Sequence, residues 1–146
     1  MPAKITFHSR VLQELQQMGF SKDELEADLL KYFDRIATPW YLGRDARMDR
    51  PDSAIKAELW HMHLFTPFKK DGSARTEREW KFERGGRPLR QYYRTSDRWL
   101  IYTRGLMDSE HYCVVGIADP TAHKSCNSPA YMDKFVQAAE DFKNKH

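Results

Sequence analysis

The chain lacks several features that would assign it to a specialised class of protein. It has 2 cysteines in 146 residues, no internal repeat and no low-complexity stretch, which argues against a disulfide-stapled fold and a repeat architecture. No apolar run is long enough to span a bilayer, and the N-terminus lacks the apolar segment of a signal peptide. We therefore expect a cytoplasmic protein with free thiols and no membrane partner.

Length and apolar content indicate a single domain. Hydrophobic residues make up 40% of the chain, which is enough for one core, while the length is too short for two comfortable ones. The prediction is one domain over residues 1–146.

Positive charge is concentrated in the middle of the chain. The formal net charge is +3, but residues 69–104 hold 11 Lys or Arg against 5 Asp or Glu. Aromatic residues are interleaved with these cations. This mixture suits single-stranded nucleic acid, because guanidinium groups neutralise phosphates and rings stack on exposed bases. A solvated sheet face, with arginine stems covering apolar surface, explains the same composition equally well.

Helical patterns occupy both ends of the chain. After a short edge strand at residues 4–7, Ser9 is a candidate cap for a helix that Gly19 ends. Ser21 begins a capping box and a second amphipathic helix. Ser128, followed by a first-turn proline, predicts a C-terminal amphipathic helix.

Between these ends the periodicity changes to alternation, which predicts an α+β fold. Residues 38–53, rich in Pro, Gly and charge, are interpreted as a loop in which Gly43-Arg44-Asp45 forms a structural turn with a local ion pair. Strands of an antiparallel sheet packed against the N-terminal helices are predicted at residues 59–65, 77–84, 89–95, 98–104 and 112–118. The nearly apolar last strand is expected inside the sheet.

Strand alternation also predicts which side chains share a face. In the 59–65 strand, His61 and His63 project to one side and the apolar residues to the other. In the 89–95 strand, Arg90, Tyr92 and Arg94 would form a row suited to holding phosphates and stacking bases.

Several short sequences, in order along the chain, resemble those of one toxin superfamily. They are Gly43-Arg44-Asp45-Ala46, His61-x-His63-Leu64, Leu89-Arg90-Gln91 with Arg94-Thr95, Leu100-Ile101-Tyr102 with Gly105, and Pro120 followed by His123-Lys124. With helices first, then a sheet, a basic loop and a terminal helix, the chain resembles the RelE/ParE superfamily. More narrowly, it resembles the YafO-type toxins of type II toxin–antitoxin systems. The connection formed by residues 66–88 is longer than is usual in that family and is interpreted as an inserted hairpin.

The resemblance implies a ribosome-dependent mRNA endoribonuclease, an mRNA interferase that cuts in the ribosomal A site and is restrained by a cognate antitoxin. Such cleavage uses the 2′-hydroxyl of the RNA as nucleophile. The protein must therefore supply a proton acceptor, a proton donor and cations, with no metal or other cofactor. The catalytic candidates are His61, His63 and His123 as acid and base and Arg90, Arg94 and Lys124 as cations, with Tyr92, Arg98 and Tyr131 as RNA-binding residues.

Other interpretations of these residues stay open. His61 and His63 fit a satisfied polar face, or two ligands of a zinc-dependent hydrolase completed by His111 or His123. The cations fit a nucleic-acid-binding module without catalysis, or a ParE-like toxin that poisons DNA gyrase. The sequence also leaves open which histidine is the acid and which is the base.

Overall fold

One β-sheet with helices on both faces forms the body of the computed structural model, which describes residues 2–146. In chain order its elements are β1 (Lys4–Phe7), α1 (Ser9–Met18), α2 (Lys22–Phe33), β2 (Leu42–Arg47), α3 (Asp52–Lys56), β3 (Trp60–Leu64), α4 (Glu77–Lys81), a 3₁₀ turn (Gln91–Tyr93), β4 (Trp99–Arg104), β5 (His111–Ala118), α5 (Ala122–Ser125) and α6 (Pro129–Lys145). The predicted α+β class and the C-terminal helix are confirmed.

The sheet is mixed rather than wholly antiparallel. Its strand order is β1-β5-β4-β3-β2, and β1 runs parallel to β5, whereas the other three pairings are antiparallel. The expectation of an antiparallel sheet is therefore wrong at this edge. β1 leads directly into α1, and α1 packs against β5. β1 therefore lies beside β5, and the two strands run in the same direction. β5 lies inside the sheet, as its apolar sequence predicts.

Apolar side chains fill the space on both faces of the sheet. On one face, α1 and α2 bury Val11, Leu15, Leu25 and Leu29 against alternate residues of β3, β4 and β5. On the other face, α6 places Phe135, which has no exposed surface, against β4 and β5. A fully buried side chain of this size contributes about 1.5–3 kcal/mol through the hydrophobic effect. The sheet is thus fixed from both sides, which makes it a rigid base for side chains at its edge.

Most helix ends follow the signals in the sequence. Gly19 ends α1 in the left-handed conformation at φ 78°. The hydroxyl of Ser21 accepts a hydrogen bond from the third helical N–H of α2, and that of Ser128 does the same for α6. At the start of α1 the capping acceptor is the side chain of His8 rather than the predicted Ser9.

The predicted strand at residues 89–95 is wrong. The segment forms the 3₁₀ turn and makes no ladder with β2, although β2 is an edge strand. One backbone bond joins the two, from the N–H of Arg44 to the carbonyl of Arg94 at 2.8 Å, and side chains satisfy two acceptors of β2: Arg94 donates to the carbonyl of Leu42, and the amide of Gln91 donates to the carbonyl of Gly43 at 2.9 Å. With those acceptors occupied, a backbone ladder has nothing to gain at these positions.

Residues 38–58 and 66–88 also differ from expectation. Gly43-Arg44-Asp45 is part of β2 rather than a turn, and α3 begins at the end of the segment that was interpreted as a loop. The predicted strand at 77–84 is wrong, because α4 forms there through a capping box between Thr76 and Glu79. The 66–88 segment is therefore not a two-stranded hairpin; it has isolated bridges only at Phe68–Ala74 and Phe82–Pro88.

Two further findings concern thiols and membranes. Cys113 and Cys126 are free, as predicted, and both are buried, which raises the pKa of each thiol to about 12. Among residues 2–146, no helix combines the length and the apolar character needed to cross a bilayer.

Candidate active site

Three imidazoles meet at one indole ring on the α6 face of the sheet. β3 alternates as predicted, so His61 and His63 lie on the same side, opposite Met62 and Leu64. The ring centroid of Trp99 lies 4.3 Å from that of His61, 5.1 Å from that of His63 and 6.1 Å from that of His123. Residues 62 positions apart in the chain thus share one pocket of about 320 Å³, called here the histidine pocket.

His63 is held in one tautomer by the backbone. The N–H of Ser96 donates to Nδ1 of His63 at 2.8 Å, so the ring proton lies on Nε2. The side chain is only 3% exposed, and this burial lowers its pKa to about 3. His63 is therefore neutral at physiological pH and can donate a hydrogen bond through Nε2.

His61 is also neutral, and its ring reaches the pocket wall. Burial lowers its pKa to about 4, and its Nδ1 atom is buried without a hydrogen-bond partner among the described residues. The ring lines the histidine pocket. A neutral imidazole at the pocket wall can accept a proton, which is what a general base must do.

His123 reaches the pocket on a helix rather than on the predicted loop. It is exposed and belongs to α5, whose N-cap residue Thr121 makes no side-chain capping bond. Asp97 replaces that cap: its Oδ1 accepts the N–H of His123 at 2.7 Å and its carbonyl accepts the N–H of Ala122 at 3.0 Å. The turn that orders His63 through Ser96 thus also anchors the helix that carries His123.

Cations from β2 and its continuation form much of the pocket rim. Arg44, Arg47 and Arg50 line the pocket together with Lys70. The Arg44 guanidinium lies 4.1 Å from the ring centroid of Tyr92, and its Nε donates to the Tyr92 carbonyl at 2.8 Å. These arginines were not predicted as site residues. The sequence feature that could have identified them is the regular spacing of Arg44, Arg47 and Arg50 within a segment that was interpreted as a loop.

Of the predicted cations, Arg94 has a structural position. Its guanidinium donates to the carbonyls of Leu42 and Leu89, with 3.0 Å from Nη1 to the Leu89 oxygen. It lines a second cavity rather than the histidine pocket. Arg90, Tyr92 and Arg94 therefore do not form the row expected of a strand, although Tyr92 does line the histidine pocket.

The remaining predicted residues lie outside the pocket lining. Arg90 and Lys124 are exposed, and Lys124 follows His123 on α5. Arg98 pairs with Asp119, with 3.1 Å between Nε and Oδ1. Tyr131 is half-buried on α6, and burial raises its pKa to about 12. The structure therefore brings together His61, His63, His123 and Tyr92, but not Arg90, Arg94, Lys124, Arg98 or Tyr131.

A larger cavity of about 790 Å³ lies on the opposite face of the sheet. Its polar centre is Asp45, whose carboxylate accepts hydrogen bonds from Tyr32 at 2.8 Å and Tyr102 at 2.7 Å. Asp45 therefore serves this network and not the ion pair with Arg44 that the sequence suggested. No histidine lines this cavity, so the smaller histidine pocket is the better site for proton transfer.

The histidines do not form a recognisable metal site. Among residues 2–146, no group of three or more His, Cys, Asp or Glu side chains is arranged to hold a metal ion. Neither His111 nor any other side chain there completes a set with His61 and His63, as the zinc hypothesis requires.

Comparison with known proteins agrees with the resemblance drawn from the sequence. The profile of the family described as "Toxin YafO, type II toxin-antitoxin system" matches residues 30–144. The mRNA interferase toxin YafO of Escherichia coli (strain K12) is 30% identical over 139 residues, covering 90% of this chain and 92% of that protein. No solved structure matches the chain. The chain belongs to the YafO toxin family of type II toxin–antitoxin systems.

Proposed function

We propose that this toxin is an mRNA endoribonuclease that cuts mRNA on the ribosome by metal-independent attack of the RNA 2′-hydroxyl. The observation that carries the proposal is the histidine pocket, where three imidazoles surround Trp99 beneath a rim of cations. The relative from Escherichia coli is named an mRNA interferase. A cognate antitoxin follows from membership of the family, and the ribosome is part of the proposal.

Two imidazoles in different surroundings suit the two proton transfers. His61 is kept neutral by burial, so it can take the proton of the 2′-hydroxyl. His123 is exposed on α5, where water can reach the ring, so it can deliver a proton to the departing 5′-oxygen and be reprotonated by solvent. This assigns the base to His61 and the acid to His123.

Charge on the pentavalent intermediate is met by groups that do not transfer protons. Arg44 lines the pocket and can pair with phosphate oxygens, whereas the Arg47 guanidinium lies over the ring of Trp60 on the opposite face of the sheet. His63, fixed by Ser96, can donate a hydrogen bond from Nε2. We assign the electrostatic role to these groups in place of Arg90, Arg94 and Lys124, because Arg94 is engaged by backbone carbonyls and the other two lie outside the pocket lining.

The test is ribosome-dependent cleavage by the purified toxin, measured by mapping mRNA 5′ ends in a translating extract with a zinc-selective chelator that leaves the Mg²⁺ of the ribosomes in place. Replacing His61 or His123 with Ala should lower the cleavage rate by about 10²–10⁴-fold, the usual contribution of a general acid or base. The matched control is His8→Asn, which removes an imidazole outside the pocket but keeps an acceptor at the N-cap of α1.

Three results would contradict the proposal. Cleavage at wild-type rates in both alanine variants would remove the imidazoles from the chemistry. Loss of cleavage with the zinc-selective chelator, while translation continues, would favour the zinc-dependent hydrolase. Arrested growth with DNA damage and undisturbed translation would favour the gyrase-directed toxin.

A further inference from the structure

A ridge of two residue pairs lies between the histidine pocket and a second, smaller cavity. Lys70 and Tyr92 line the histidine pocket, whereas their sequence neighbours Lys69 and Tyr93 line a cavity of about 200 Å³. The two pairs of residues therefore form a shared wall. Both tyrosines on it are exposed, Tyr92 by 62% and Tyr93 by 58%, and their rings meet edge to face.

The segment 66–94 beyond this ridge carries cations that no acid neutralises. Three of its four acidic side chains are engaged nearby: Glu79 pairs with Lys69, Glu77 pairs with Lys81, and Asp71 accepts hydrogen bonds from Ser73. The fourth, Glu83, is exposed beside Arg84 and leaves the segment with nine Lys or Arg against four acids. By contrast, within residues 2–146 the cations without an ion-pair partner in this segment include Lys70, Arg78, Arg84, Arg87 and Arg90. All five are exposed, so their charge faces solvent.

The same segment is fixed to the sheet rather than loose. Trp80 is 2% exposed, and its indole N–H donates to the carbonyl of Trp40 at 2.7 Å. Arg75 donates to the carbonyl of Thr95 at 2.8 Å, and the side chains of Gln91 and Arg94 donate to carbonyls of β2. A fixed support holds the unpaired cations in place relative to the histidine pocket, which reduces the entropy lost on binding a chain of phosphates.

We propose that the segment 66–94 is a binding track for the single-stranded RNA that flanks the cleaved nucleotides. The strand leaves the histidine pocket over the Tyr92–Tyr93 ridge, places a base at Tyr93 beside the second cavity, and runs along the unpaired cations. The assignment rests on the proposed RNA cleavage and adds where the substrate lies outside the pocket. Exposed rings favour a single strand, because a duplex does not offer its bases for stacking.

The experiment measures equilibrium binding of oligonucleotides in which 2′-deoxy sugars prevent cleavage, at lengths of about three and about nine nucleotides, by fluorescence anisotropy. The variant Arg78→Gln/Arg84→Gln/Arg87→Gln removes three unpaired cations and no residue of the histidine pocket. The matched control is Lys31→Gln/Lys56→Gln/Lys145→Gln, which removes the same charge from exposed helical positions elsewhere.

The triple arginine variant should bind the short oligonucleotide like the control and the long one more weakly. Each phosphate contact with a single strand contributes about 0.7 to the slope of log K against log salt, so three lost contacts should lower the slope by about 2. Between 50 and 200 mM salt, the wild-type affinity should then fall about 20-fold more than that of the variant. Tyr93→Ala should separately weaken the long oligonucleotide by about 5- to 150-fold.

Equal affinity and equal salt slope in the two triple variants would overturn the track. So would a loss confined to ribosome binding with single-stranded RNA unaffected, because the cations would then face structured RNA. The two proposals fail separately. Binding needs no cleavage here, so a wild-type toxin that binds long oligonucleotides but never cuts mRNA contradicts only the proposed function.

Discussion

Burial of the two strand histidines should make this protein less stable in mild acid, and His63 should account for a defined share of the loss. In the unfolded chain both imidazoles titrate near 6.5. In the folded protein burial lowers the pKa to about 4 for His61 and about 3 for His63. Between these values the unfolded state binds protons that the folded state does not, so stability is highest above pH 6.5 and declines as the pH falls toward 4.

The magnitude follows from linkage. Lowering the pH from 7 to 5 should cost about 2 kcal/mol of unfolding free energy for each histidine, because the unfolded state is then almost fully protonated at that site while the folded state is not. His63→Asn abolishes one of these titrations, and its amide oxygen can still accept the N–H of Ser96. The variant should therefore lose about 2 kcal/mol less than the wild type between pH 7 and 5.

Urea unfolding at several pH values measures this difference. His63→Ala is the matched control, since it removes the same titration but leaves the buried Ser96 N–H unpaired. Its free energy of unfolding should depend on pH in the same way as that of His63→Asn. It should be lower at every pH, because leaving a buried donor unsatisfied costs about 1–3 kcal/mol. A wild type and an Asn variant with the same pH dependence would refute the claim that His63 is buried and neutral.

Two further predictions test how the structure supports the pocket. Gly43→Ala should lower the free energy of unfolding in urea by about 3 kcal/mol or more, because the added Cβ would collide with the backbone carbonyl oxygen of Arg94. A free energy within about 0.5 kcal/mol of the wild-type value would show that the two backbones are farther apart than described. Asp97→Ala should lower the cleavage rate without changing RNA affinity, because the N–H of His123 loses its side-chain acceptor. Asp97→Asn keeps an acceptor oxygen and should restore most of the cleavage rate. Equal cleavage rates in the two variants would contradict a positioning role for Asp97.

The sequence by itself predicted the features that depend on neighbouring residues. Alternation along β3 correctly separated His61 and His63 from the face that carries Met62 and Leu64, and the capping signals at Gly19, Ser21 and Ser128 correctly located helix ends. Such features are fixed by interactions within a few residues, so a local pattern is enough to reveal them.

Local patterns were ambiguous where a different contact decided the conformation. The Arg-Gln-Tyr-Tyr-Arg stretch alternates like a strand, but Arg94 and Gln91 satisfy the acceptors of β2 with side chains, and a 3₁₀ turn results. At residues 77–84 the alternating pattern predicted a strand. The capping box of Thr76 and Glu79, which the sequence also contains, favours a helix, and α4 forms.

The histidine pocket itself was decided only by tertiary structure. Its imidazoles come from β3 and α5, and they meet because β3 pairs with β4 while Asp97 ties α5 to the turn before β4. Arg44 joins them because β2 pairs with β3, a pairing that the charged, glycine-bearing sequence of β2 does not reveal. Local sequence fixes which residues share a face, whereas long-range pairing and packing determine which faces meet. Three histidines chosen as candidates from the sequence therefore became a pocket only after the sheet was assembled.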